Sequence, residues 1–345
     1  MAVAPDELPK LIQRLTPRIA SYFPEMGPCH VKPSGRPREL DSCRLYKIEI
    51  VAANGAAARL AVKVFRAGPR RAYNLGKALR TQYESLQEAV LLASRVPGVR
   101  GPRPLDTFPD LGVLVMEWVD GRRLLDCLAS DLTGARSDAL MRSCGEWLRH
   151  FHELRRTDPC DPRIAQKLDD VRFRVERLGK ERLPRDLLRR IETHMVEQAA
   201  VLDGVAVPSC HSHMDFSASN VMVDGSGRLA VLDIGREVAP LDSDVASFLV
   251  SLEKAPLHPR RFGLTHGRIR RLQQAFLQGY AGPGAGPSSL TRFQFMRLLL
   301  RTSCYYLESY RTHRVRHLWL RLFFTRHLAR ALADGQSAAA AAGRA

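Results

Sequence analysis

"HSHMDFSASNVMV", residues 211–223, can be read as either of two chemistries. Taken from His211, the alternation His-x-His-x-Asp offers two imidazoles and a carboxylate, donor types that gather around zinc. Taken from His213, it is His213-x-Asp215-x-x-x-x-Asn220. That is the spacing of a phosphoryl-transfer loop, in which the aspartate accepts the proton of the attacking hydroxyl and the asparagine binds a metal ion. The zinc reading needs a further histidine directly after the aspartate, and Phe216 stands there. The histidines at 150, 152, 258, 266, 313, 317 and 327 carry no partner motif around an apolar strand. His211 therefore reads as a loop residue, and His213 as a brace for the loop.

The sequence downstream favours phosphoryl transfer. VMVDGSGRLAVLDIG places two short apolar strands around the turn Asp224-Gly225-Ser226-Gly227 and ends the second at Asp233-Ile234-Gly235. A hairpin of that length carries Asp233 back alongside Asn220. Magnesium takes hard oxygen ligands, one or two from protein and the rest from phosphate and water. Asn220 and Asp233 are suitable ligand types, and Asp215 faces the acceptor hydroxyl.

Upstream, CRLYKIEIV and ARLAVKVF alternate in polarity and meet at Asn54-Gly55, whose residues supply the positive φ angles of a tight hairpin. A basic loop, RAGPRRAYNLGK, leads to a helix over 78–95, and GVLVMEWV (112–119) is a buried strand. After Gly121 the pattern is helical, over 137–155, 164–179 and 184–202, and again from the second strand pair to about 333. These elements imply an α+β protein of two lobes, with a cleft at 116–121. An N-terminal helical extension (1–26) precedes a small β-sheet lobe with one helix (27–120, connecting strand 116–121). A larger, mostly helical lobe (121–335) carries the loop 211–220 and the motif 233–235. The residues 336–345, QSAAAAAGRA, are of low complexity and read as disordered.

HMDFSASNVMV, LAVLDIG and LDSDVASFL together resemble the catalytic half of the aminoglycoside phosphotransferase and choline kinase-like family. The matching positions are His213, Asp215, Asn220, Asp233 and Asp244-Val245-Ala246, and the resemblance spans roughly 40–280. It implies a protein kinase-like fold and an ATP- and Mg2+-dependent phosphotransferase. In that family a strand lysine, here Lys63, holds the α- and β-phosphates beside a helix glutamate, here Glu88, with Glu84 one turn earlier as the fallback. The adenine meets backbone groups of the hinge, here Glu117, Trp118 and Val119. Two features depart from the family. No G-x-G-x-x-G precedes the hairpin, leaving Pro33-Ser34-Gly35-Arg36 as the phosphate-covering loop. Ser217 and Ala218 replace the histidine and proline that often follow the catalytic aspartate, so the γ-phosphate contact falls to Ser217 or stays open.

Composition narrows the partners. The 345-residue chain is 45% hydrophobic and carries a net charge of +17. Its cysteines, at 29, 43, 127, 144, 160, 210 and 304, form no C-x-x-C pair, as expected of free thiols in the cytoplasm. The N-terminus has early acids and no apolar core, unlike a signal peptide. From Pro256 to Ala345 there are fifteen arginines against two acids, Glu308 and Asp334. Arginine suits phosphate and carboxylate, so an anionic acceptor, a small molecule or cell-envelope glycan, is expected over a cationic one. The segment 313–332 is apolar almost all round. It is either a core helix or a peripheral contact with an anionic inner-membrane surface. No nucleic-acid module is recognisable. The alternative readings are an aminoglycoside-type antibiotic kinase and a nucleotide-binding pseudokinase scaffold.

Overall fold

Alternating apolar residues in two long strands set the first half of the chain, and amphipathic helices set the second. The computed structural model describes residues 8–40, 43–65, 75–131, 134–258, 261 and 263–342. In chain order it contains α1 (Leu8–Leu15), α2 (Ile19–Tyr22), β1 (Cys29–Pro33), β2 (Arg38–Glu39), β3 (Cys43–Ala52), β4 (Ala57–Phe65) and α3 (Leu75–Ala93). Next come β5 (Val99–Arg100), β6 (Pro104–Phe108), β7 (Val113–Glu117), β8 (Arg122–Arg123), α4 (Leu124–Ser130), α5 (Ala135–Leu154) and β9 (Arg156–Cys160). The remainder is α6 (Ile164–Lys180), α7 (Arg185–Leu202), β10 (Val207–Ser212), β11 (Val221–Val223), β12 (Leu229–Val231), β13 (Glu237–Pro240), α8 (Leu241–Glu253), α9 (His266–Ala281), α10 (Ser289–Ser309) and α11 (Arg314–Ala342). The basic loop 66–74 lies outside the described residues. Among those described, no helix is long and apolar enough to cross a membrane.

The chain divides into two compact units, Met1–Arg123 with Val221–Arg236, and Leu124–Asn220 with Glu237–Ala345. The first is built on an antiparallel sheet of order β1-β3-β4-β7-β6, with β2 beside β3. Pleating sends alternate side chains of a strand to opposite faces. Leu60, Val62 and Val64 of β4 therefore join Ile48 and Ile50 of β3 on one face, where Leu11, Leu15 and Ile19 cover them. The residues 8–26, expected as an extension, are a packing layer of this unit, because α1 and α2 bury their apolar stripe on the sheet. Phe65 and Leu114 lie with Leu79 and Leu86 of α3 in a separate cluster. Lys63, opposite Leu114 in the register, shares the strand parity of Phe65.

The β3–β4 connection is longer than a two-residue turn. Only Gly55 takes positive φ (83°), while Asn54 accepts the Ala56 amide on its side chain at 2.9 Å. β12 runs parallel to β5 and β11 antiparallel to β8, which places the hairpin and the motif 233–235 in the first unit instead of the helical one. In its turn Asp224 is buried, which by itself would raise its pKa. Four hydrogen bonds from Ser226 and Arg228 instead hold the carboxyl down at about 2.

The second unit packs its helices around Trp147, Phe216, Phe248, Phe276, Phe293 and Phe324, all fully buried. Beside them β10 pairs antiparallel with β9 and β13. α11 continues to Ala342, so 336–342 are helical where the composition suggested disorder. Alanine has the highest helix propensity, and the run extends a helix already nucleated. Residues 343–345 lie outside the described residues.

Helices α5 and α9 approach closely because each has a glycine at the crossing. A Cβ on Gly145 would overlap the Phe276 carbonyl oxygen, and one on Gly279 would overlap that of Arg142. Both neighbours are backbone and cannot rotate away. Gly279→Ala should lower stability by about 1–3 kcal/mol despite alanine's better helix propensity. An unchanged or raised melting temperature would contradict this packing.

Candidate active site

His211, expected in a loop, lies in β10 opposite Val238, and the loop 213–220 that follows is held by α8. Asp244, in the first turn of α8 and 1% exposed, accepts the His213 amide on Oδ2 at 2.8 Å and the Met214 amide on Oδ1 at 3.1 Å. His152 of α5 meets Oδ2 at 3.2 Å through Nε2, and its Nδ1 lies 2.9 Å from the Tyr280 hydroxyl. Met214 takes a left-handed φ of 69°, a conformation these bonds secure. Two helical turns on, Ser251 accepts the Ala218 amide at 2.9 Å and donates to the Phe248 carbonyl. One face of α8 thus fastens the loop on both sides of Asp215.

The fixed loop presents a paired acid and amide. Asn220 Nδ2 donates to the Asp215 backbone oxygen at 2.9 Å and to Oδ2 at 2.8 Å. With Nδ2 engaged, the amide oxygen of Asn220 is the atom left for a hard cation. His213 is fully buried, its ring 5.4 Å from Phe216 and 6.3 Å from Trp147 by centroids. It braces the loop, as its place in the sequence suggested. Ser217 is 4% exposed, with its hydroxyl 2.8 Å from that of Ser219. Small residues at 217 and 218 let the loop turn inward toward Ser251.

Lys254, one turn beyond Ser251, carried no functional signal of its own in the sequence. It is half-buried and, among the described residues, has no side-chain hydrogen bond or ion pair. Burial and the nearby Arg301 lower its pKa, while the charge of Asp215 raises it. Its spacing from Ser251 is the one available signal, and it has meaning only once α8 is seen beside the loop.

His152, Cys210 and Asp244 bring ligand-type atoms within 4.8 Å of one another, all buried. Their contacts are those of a clamp, with Asp244 accepting from three groups. Burial, reinforced by Asp244, pushes the Cys210 thiol up to about 12.

The first unit holds the other expected residues. Lys63 is 5% exposed, with its ammonium 2.5 Å from Asp233 Oδ1 and 3.2 Å from Gln82 Oε1. Asp233 has a left-handed φ of 57°, which turns its carboxylate off the end of the strand. Its side chain remains 39% exposed. Glu88, expected beside Lys63, faces Arg236 at 3.3 Å, and the fallback Glu84 meets the same guanidinium at 2.5 Å. The acid found against Lys63 is Asp233. Arg236 lies three residues past Asp233 and ties this segment to α3.

The hinge residues follow β7. Glu117 Oε1 lies 3.5 Å from Arg100, and the Trp118 amide donates to the Arg59 carbonyl at 3.0 Å. The Trp118 ring is flanked by Lys47 at 5.2 Å and Arg38 at 5.9 Å, and Val119 is buried. In the phosphate-loop candidate, the Ser34 amide donates to Lys47 O at 2.8 Å and Gly35 has φ 76°.

Burial alone would raise the pKa of Asp244, but bonds from His152 and the His213 amide, with the charges of both histidines, hold it below the usual carboxylate range. A carboxyl so depressed stabilises the fold fully above its unfolded pKa of about 4. That contribution is lost as pH falls through the lower, folded value. Asp244→Asn should cost about 2–4 kcal/mol near neutral pH, because an amide cannot accept all three bonds. The gap to wild type should narrow below about pH 4. Denaturant melts across pH check both, and a pH-independent gap would contradict the assignment.

The model of the phosphotransferase enzyme family matches residues 51–291. Among curated proteins, none matches the sequence. Among solved structures, an amicoumacin kinase in complex with AMP-PNP, Ca2+ and Ami is 12% identical, with a TM-score of 0.51 over 92% of this chain and 96% of its own. A putative fructosamine-3-kinase from Thermobifida fusca is 18% identical, with a TM-score of 0.49 over 91% and 98%. A choline/ethanolamine kinase family protein from Mesorhizobium loti is 14% identical, with a TM-score of 0.47 over 93% and 98%.

Proposed function

The chain belongs to the phosphotransferase enzyme family, and from that premise we propose that it moves the γ-phosphate of ATP, with Mg2+, to a hydroxyl of an anionic small molecule or glycan. The observation that carries this reading is the 2.8 Å bond between the Asn220 amide and the Asp215 carboxylate, on a loop that α8 holds at both ends. Asp215 accepts the proton of the acceptor hydroxyl as its oxygen bonds to phosphorus and ADP departs. Lys63 holds the α- and β-phosphates, a role that fits a buried ammonium. Glu88 and Arg236 set the position of α3, and backbone groups of Glu117, Trp118 and Val119 receive the adenine. Asn220 and Asp233 offer hard oxygens suited to Mg2+, which when bound neutralises charge on the phosphates.

Lys254 stands near enough to Asp215 to feel its charge. A half-buried ammonium that forms no ion pair among the described residues suits a phosphoryl oxygen or the acid group of an acceptor. Three of the acids that a cationic acceptor could use have partners within the second unit, whereas Asp158 is exposed. Asp126 pairs with Arg261 at 2.7 Å, Glu153 with Arg149 at 3.2 Å, and Asp131 receives Ser137 at 2.7 Å. All seven cysteines are free, in keeping with a cytoplasmic location.

Mg2+-dependent ADP release against neutral sugars, sugar phosphates and aminoglycosides tests the proposal. Sugar phosphates should be preferred, and Asp215→Asn should lower kcat about 10²- to 10⁴-fold with little change in MgATP affinity. Lys254→Met should raise KM about tenfold for the phosphorylated sugar and leave that for its neutral counterpart unchanged. Turnover surviving in Asp215→Asn would overturn the loop assignment. Preference for aminoglycosides would overturn the acceptor class.

A further inference from the structure

Helix α11 is apolar almost all round because it has two apolar faces with different surroundings. Leu320, Phe324, Leu328 and Leu332 are at most 1% exposed and belong to the helical core. On the opposite side Val315 is 85% exposed, Leu318 54%, Trp319 45% and Leu322 54%. Their spacing of three and four residues places them on one stripe. Farther along it stand Arg326 and Arg330, both exposed, and Arg314 and Arg316 flank its start. Among the described residues, Arg314, Arg326 and Arg330 meet no carboxylate within ion-pair distance, and Arg316 rests on the Tyr310 ring at 3.8 Å.

We propose that this face of α11 is a docking surface for an anionic lipid bilayer. A helix that lies in a membrane interface needs apolar side chains to enter the acyl boundary and cations at their margin to meet headgroups. Tryptophan favours that depth, where its ring is apolar and its N–H is wet. Charge selects the occupant. From residue 309 to residue 333 the chain has six arginines and no acid. Two copies joined through this face would bring like charges together around a two-fold axis. A nucleic acid would answer the arginines but would leave Val315, Leu318 and Leu322 without a partner. An anionic bilayer satisfies both halves of the stripe.

Co-sedimentation with phosphatidylcholine vesicles, with and without about 30% phosphatidylglycerol, tests the surface. The full chain should bind the anionic vesicles at least about tenfold more tightly and release as salt rises from about 50 to 300 mM. The pair Leu318→Glu and Leu322→Glu should lower binding at least about tenfold at an unchanged melting temperature, since both side chains are exposed. Vesicles should shift tryptophan emission to the blue in wild type, and Trp319→Phe should remove most of the shift. Equal binding to both vesicle types, or wild-type binding by the double variant, would overturn the proposal. So would a dimer in sedimentation velocity that the double variant dissolves, since the face would then join copies of the chain. MgATP turnover on a water-soluble acceptor does not depend on the stripe, so failure here is distinguishable from failure of the catalytic reading.

Discussion

A single carboxylate, Asp244 in the first turn of α8, accepts from the amides of His213 and Met214 and meets His152. An ionised group in an apolar interior is costly unless it is saturated with donors. Here the donors are the backbone of the loop whose geometry matters, so the energy that keeps Asp244 charged also fixes the path of the chain into Asp215. Stacked rings of Trp147, Phe216 and Phe248 close the surroundings. Ser251 repeats the device two turns away with a neutral hydroxyl.

The residues that were legible in the sequence lie on strongly patterned stretches. The β3–β4 hairpin followed from alternation, helices α5 to α7 from periodicity, and the place of Asp215 and Asn220 on one loop from their spacing. Contacts made by residues distant in sequence were not legible. Glu88 stands on the expected helix, yet Arg236, some 150 positions away, is its partner. Ser217 keeps its place in the motif, and its contact with the Ser219 hydroxyl carried no signal in the sequence. Lys254 had no local signal, since its significance depends on which face of α8 meets the loop.

The arginine excess also reads differently in three dimensions. Arg261, Arg271 and Arg297 pair with Asp126, Asp138 and Asp170 from earlier helices, so much of the positive charge after residue 256 is met locally. The remainder concentrates along α11. Of the two expectations for residues 313–332, the core helix describes one side, and the other side exposes Val315, Leu318, Trp319 and Leu322. A hydrophobic pattern without a clean polar face can mean two apolar environments instead of one.

The central claim is that Asp244 holds Asp215 in place for phosphoryl transfer. Single-turnover kinetics of Asp244→Asn, at a temperature where the variant is fully folded, tests it most directly. Phosphate transfer should slow about a hundredfold while the Kd for MgATP stays within about twofold, because only the loop is released. Transfer at the wild-type rate would contradict the account, as would a loss of MgATP affinity matching the loss of rate.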